Sequence, residues 1–369
     1  IYLSRAFGSS VGFLFTWSLF WIVRPGSIGA MAYVFAQYAA ALVPHQWPVF
    51  GPVIYAALPI AVLTGMNVLG VRPGAWTQIV LTTAKIVGLL LVVAAAFALG
   101  GASETTPVNI VATSHSTHLG LAMIFVLFTF GGWSDIAFVA AEVRDPRQNL
   151  VRSLVVGVLV VAAIYLMVTF AFVRVLGFEG VRTSEAVAAE TLEAAVGPWG
   201  RGAISVLICI STLGVINAML LTGSRVYYAA GTRHRTFGLL GVWNARRESP
   251  VRSLIVQAAV TLAVVVGFGL YEDGFDRMVV FTLPAFWFFF LLTGIALFAL
   301  RHKPGEPARA FRVPGYPITP LIFCGSCLFM LISSIQYAYV QRSPEAAWAL
   351  GLLIVGLIAS LLDRPRVES

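Results

Sequence analysis

Within residues 128–146, FTFGGWSDIAFVAAEVRDP, a carboxylate directly follows paired glycines in the middle of an apolar run. An ionisable group at membrane depth is costly enough that it faces the protein interior or a water-filled cavity, not lipid. Gly131 and Gly132 each weaken a helix by about 1 kcal/mol relative to alanine, so the backbone is expected to open there. Open backbone at that depth survives only where it lines a cavity. The stretch reads as a broken helix at a binding site containing Gly131, Gly132, Trp133, Ser134 and Asp135. Three roles stand open for Asp135: a proton or cation site, a carboxylate that organises the cavity, or a structural hydrogen-bond partner for a neighbouring helix. The glycine pair by itself would also suit close helix packing.

Lys85 lies in TQIVLTTAKIVGLLLVV, ten residues into an apolar run. At 1.5 Å per residue that is ~15 Å deep, beyond easy snorkelling. An ammonium there needs a partner or a depressed pKa, which suits either a proton carrier or a fixed positive charge bonded to carbonyls. In AISVLICISTLGVINAMLLTGS, Ser211, Thr212 and Asn217 are polar groups in an apolar helix. Each alone is a weak signal, because hydroxyls bond the preceding turn at little cost. His115 and His118 form HxxH in a loop, a poor metal pattern, and Cys324-Gly-Ser-Cys327 matches CxxC inside an apolar span, where packing is the better reading. No phosphate-cradling glycine loop, no HExxH and no nucleophile–base set occurs, so neither enzymatic chemistry nor a cofactor is expected.

The elements that must position these groups follow from composition. Of 369 residues, 59% are hydrophobic and 11% charged, with a mean hydropathy of +0.88. Soluble domains carry about 25% charged residues, so this is a polytopic helical membrane unit. Ten apolar segments are expected at 8–43, 52–70, 75–100, 119–141, 150–173, 198–224, 252–270, 277–300, 317–340 and 345–362. The first holds Arg24-Pro25-Gly26 in its middle and reads either as one kinked helix or as two short ones.

With the first segment taken as one crossing, 17 of the 24 Lys and Arg fall on one side and five on the other, while Arg24 and Lys85 lie within spans. The basic side is expected to be cytoplasmic, with both ends of the chain there. The net charge of +8 is therefore topological, and nucleic acid is not an expected partner. Residues 179–197 hold four glutamates among alanines and valines, which suggests a short helix on the outer surface.

GGWSDIAFVAAEVRDPRQNLVRSL resembles the sixth-helix signature of the amino acid–polyamine–organocation permeases, especially their L-type amino acid transporter branch. RAFGSSVGFLFTWSLFWIVRPGSIGAMAYVFAQY is similar to the family's third helix, NVLGVRPGAWTQIVLTTAK to its fourth-to-fifth passage, TGSRVYYAAG to the end of its eighth and FRVPGYPITPLIF to the lead into its eleventh.

The resemblance implies an all-α fold of the leucine-transporter type, two inverted five-helix repeats followed by two more helices. The ten segments then match helices three to twelve of twelve, and the long first segment becomes one kinked helix. Residues 1–100 are the remainder of the first repeat, 119–300 the second, and 317–362 the additional pair, all in one transporter domain. The first two helices are expected to be missing, and with them part of the substrate site, so the chain as it stands is not expected to transport.

By the same resemblance Phe128 is the aromatic that closes over substrate, Gly131 the unwound carbonyl facing the substrate amine, and Ser134 a polar side chain lining the pocket. Lys85 takes the place of a sodium ion, with Ser211 and Thr212 as the nearest eighth-helix hydroxyls. The expected function is sodium-independent amino acid transport across the cytoplasmic membrane, by proton symport or by exchange. Substrates are expected to be neutral, because Asp135 and Lys85 aside no charge is placed to pair with a charged side chain. A polyamine or cationic amino acid carrier with Asp135 as counter-ion, and a non-transporting receptor of the same fold, are the competing readings. An accessory subunit is neither implied nor excluded.

Overall fold

The computed structural model describes residues 2–44, 50–99, 123, 126, 130–133, 135, 145–184, 186–269, 271, 274–301, 313–340 and 343–363. Among them the chain is helical: α1 (Tyr2–Phe7), α2 (Ser9–Ser18), α3 (Arg24–Leu42), α4 (Phe50–Leu69), α5 (Val71–Ala98), α6 (Pro146–Thr183), α7 (Val187–Val196), α8 (Trp199–Arg233), α9 (Val251–Gly269), α10 (Gly274–Arg301), α11 (Ile318–Val340) and α12 (Pro344–Leu362). Nine helices among the described residues are long and apolar enough to cross a membrane. They fall on nine of the ten expected segments; the tenth, 119–141, lies mostly outside the described residues.

Two spans run further than hydropathy indicates, to Thr183 and to Arg233. Their last turns carry Glu179 and Arg182, or Arg225 and Arg233, so the apolar signal stops while helical hydrogen bonding continues. α6 also bends at Gly177, whose φ of 71° and ψ of 169° are non-helical, so its final turns form a separate short piece. The expected surface helix is α7, shorter than the acidic segment because Glu179 belongs to α6 and only Glu190 and Glu193 to α7.

The Arg24-Pro25-Gly26 ambiguity resolves as one continuous helix. α2 passes through a π-helical turn, Leu19–Val23, directly into α3, giving a 34-residue run from Ser9 to Leu42. Pro25 cannot donate to a carbonyl, and its ring crowds the carbonyl four residues back; the widened turn absorbs that conflict. A helix of this length is about 51 Å long, more than the ~30 Å hydrocarbon core, so it tilts or projects.

α3 is the interior helix. Most of its run is buried, while little of α5 or α6 is, and α4, α8, α9 and α10 pack around it. Small residues make that approach possible: a Cβ on Gly26 would lie 1.9 Å from Thr282 Oγ1, and one on Gly29 2.8 Å from Met278 Sδ. The core is built from Ile22, Ile28, Ile60, Leu63, Ile216, Leu220, Leu254, Val265, Met278 and Leu283. α12 is fixed at both ends by polar contacts: buried Glu345 pairs with Arg277 of α10, and Asp363 meets His234 Nδ1 at 2.7 Å and accepts from Thr236 N–H and Oγ1 at 3.0 and 2.7 Å.

Candidate functional site

Around the paired glycines the backbone is not α-helical. Phe130, Gly131 and Gly132 form a turn, and Trp133 and Asp135 follow in 3₁₀ geometry. Gly132 has φ of 93°, a left-handed conformation that residues with a Cβ adopt only at a cost. The Asp135 N–H donates to Gly132 O at 3.0 Å, an i→i−3 bond in place of the helical i→i−4. Gly131, Gly132 and Trp133 are exposed, and among the described residues nothing beyond its chain neighbours comes within 4 Å of a Cβ built on Gly132. Trp133 packs edge-on against Phe290 of α10, and Phe130 against Tyr165 of α6, which anchors the turn by its aromatic neighbours. Phe128 and Ser134 lie outside the described residues.

Asp135 is held by a residue that sequence reasoning left without a role. Arg24 donates to both of its oxygens, Nη1 to Oδ2 at 2.8 Å and Nη2 to Oδ1 at 2.9 Å. The Arg24 side chain is 4% exposed and that of Asp135 24%. The Thr222 hydroxyl lies 3.3 Å from Oδ2 and 2.9 Å from Ala218 O, so its single hydrogen is shared between them. The expectation that Asp135 and Lys85 are the only charges placed at the site is thus corrected: Arg24 is a third. The signal was in the sequence, since Arg24 and Asp135 are both in-span charges and a planar guanidinium matches a carboxylate bidentately. Nothing in the sequence, however, told which of the two in-span cations faced the one in-span anion.

Lys85 belongs to a different seam. α5 and α8 pack antiparallel, and their contacts pair Gly74 with Leu221, Gln78 with Asn217, Leu81 with Gly214, and Gly88 with Leu207. These α5 positions recur at spacings of four, three and seven, so position 85 completes the stripe, level with 210 and 211 on α8. Lys85 is half-buried and forms no hydrogen bond or ion pair among the described residues. Ser211 is level with it along the seam, whereas the hydroxyl of buried Thr212 is turned to Ile208 O and Cys209 O of its own helix. About two turns along, Asn217 carries more than its sequence signal suggested. It accepts from Asn67 Nδ2 at 2.8 Å and donates to Gly74 O and Gln78 Oε1, tying α4, α5 and α8 together inside the apolar interior.

Residues 1–358 match the family described as amino acid permease. The chain belongs to that family. Among curated relatives, the mouse b(0,+)-type amino acid transporter 1 is 24% identical over 366 residues, covering 98% of this chain and 72% of the relative. The Bacillus subtilis serine/threonine exchanger SteT is 25% identical over 335 residues, 90% of this chain and 75% of the relative. The mouse Asc-type amino acid transporter 1 is 27% identical over 271 residues, 71% and 51%. All are membrane transporters, and this permease is likewise a multi-pass membrane protein and not an enzyme.

Among the described residues no three His, Cys, Asp or Glu come together as metal ligands. Cys324 and Cys327 are free thiols on α11, one half-buried and one buried, and Cys209 is buried on α8.

Proposed function

We propose that the protein carries neutral amino acids across the cytoplasmic membrane without sodium, exchanging one for another at the opened turn of residues 131–135. The observation that supports this most directly is the turn itself, which takes backbone N–H and C=O groups of an apolar sequence segment out of α-helical geometry. Such groups recognise a zwitterion at the membrane midplane while the packed helices rock around it. The carboxylate there is already balanced by Arg24, so among the described residues of the turn no charge is left uncompensated to select a charged side chain. Exchange is favoured over other couplings by the serine/threonine exchanger among the relatives.

In this reading Gly131, Gly132, Trp133 and Ser134 line the substrate site and Phe128 closes it. Asp135 organises the site through its pair with Arg24. Lys85, on the α5–α8 seam beside Ser211, is a fixed positive charge in the place of a sodium ion, with Thr212 supporting the helix at that level. Residues 1–100 and 119–300 belong to two inverted repeats, and 317–362 are the additional helices. The arginine-rich ends of the spans face the cytoplasm.

Proton symport is the second reading, favoured by a half-buried Lys85 that has no bonding partner among the described residues. Uptake of labelled neutral amino acids by the full-length protein in sodium-free proteoliposomes separates the two. Exchange predicts uptake only when the vesicles contain amino acid. Accumulation driven by an inward proton gradient into empty vesicles would establish symport, and Lys85→Met would then abolish the dependence on the gradient. With exchange, Lys85→Met lowers the rate by the same factor at every pH. No uptake of any amino acid by folded protein would overturn the transport reading.

A further inference from the structure

We propose that Arg24 and Asp135 act together as the charge filter of the permease, an internal ion pair whose mutual cancellation excludes both acidic and cationic side chains. The inference rests on the reading of the opened turn as the substrate site and names what sets its substrate class.

Asp135 sits on the turn, and its carboxylate is partly exposed. Arg24 stands behind it on α3, almost wholly buried, with both guanidinium amino groups committed to the carboxylate. Thr222, from α8, holds the same Oδ2. A solute at the turn therefore meets a carboxylate edge whose charge is cancelled from behind. An acidic side chain is repelled by Asp135 and cannot reach Arg24. A cationic one must draw Asp135 away from a bidentate partner, at a depth where charges are poorly screened. A neutral side chain disturbs neither group.

The two charges have opposite effects when uncovered. A guanidinium stays protonated in any protein environment, so removing the carboxylate leaves a permanent cation beside the turn. Removing the guanidinium leaves a carboxylate whose nearest partner is a hydroxyl. A pair that served only to hold α3 against the turn would lose activity in both cases without changing which substrates are preferred.

The test compares glutamine, glutamate and ornithine, which are similar in length and differ in charge, as substrates of the full-length protein in proteoliposomes. Wild-type protein is expected to take glutamine about tenfold or more over either charged competitor. Asp135→Asn is expected to raise the glutamate-to-glutamine ratio about tenfold, and Arg24→Gln the ornithine-to-glutamine ratio by a similar factor. The double variant, with neither charge, is expected to return to glutamine. Two single variants that keep the wild-type preference, or shift it in the same direction, overturn the proposal. Equal uptake of glutamine and either charged substrate by the wild type overturns it as well, whether or not the variants fold. A wild type that takes up none of the three but does exchange another neutral amino acid is tested in the same way, with charged analogues of that substrate. A wild type that takes up no amino acid at all fails the transport reading itself.

Discussion

At the residue scale the decisive positions are Gly131, Gly132, Arg24 and Asp135. Gly132 occupies a left-handed conformation and meets no collision among the described residues where a side chain would go, so the cost of Gly132→Ala is one of backbone strain. That strain is about 1–2 kcal/mol. We predict that Gly132→Ala weakens substrate binding about 5–30-fold while folded yield is kept, as measured by ligand binding to purified protein. Unchanged affinity would mean that the turn relaxes without consequence for the substrate. The opening of the helix was legible because two adjacent glycines and an acid are poorly tolerated in a continuous helix facing lipid. The partner of the acid was not. Arg24 lies 111 residues earlier in the chain, and beside Pro25 it reads as part of a kink. Pro25 announced the kink there, but not that it would be absorbed in a π-helical turn, Leu19–Val23.

At the element scale the spans themselves were readable, because hydropathy reports lipid burial directly. What ties them together was hidden by sequence separation. The Asn67–Asn217–Gln78 cluster joins three helices through amide groups that look unremarkable one at a time. α12 depends on two distant pairs. Arg277→Ala leaves the carboxylate of Glu345 buried and uncompensated, which costs about 3 kcal/mol, the lower end for a broken buried pair because Arg277 is partly exposed. A lowered melting temperature in detergent checks this, and Arg277→Lys should recover part of the loss.

The other end of α12 responds to pH. Burial opposes ionisation of Asp363, but hydrogen bonds from the Thr236 side chain and backbone, and the contact with His234, outweigh it and hold the carboxyl below its usual range. A depressed carboxylate pKa stabilises the fold above the unfolded-state value, and that contribution is lost as pH falls through the folded value. The melting temperature should therefore drop on acidification in the wild type, and by less in Asp363→Asn. Parallel profiles for the two proteins would remove Asp363 as a source of acid sensitivity.

At the scale of the whole molecule, α3 is the hub. It presents small residues to its neighbours for close packing and an arginine to the turn, so the same helix sets the architecture and the charge at the site. Whether the opened turn binds the amino acid is measured directly by the substrate affinity of purified full-length protein carrying Gly131→Leu. A loss of at least about 100-fold is expected, with melting temperature and elution profile close to wild type. Wild-type affinity in the folded variant would contradict it and place the substrate elsewhere.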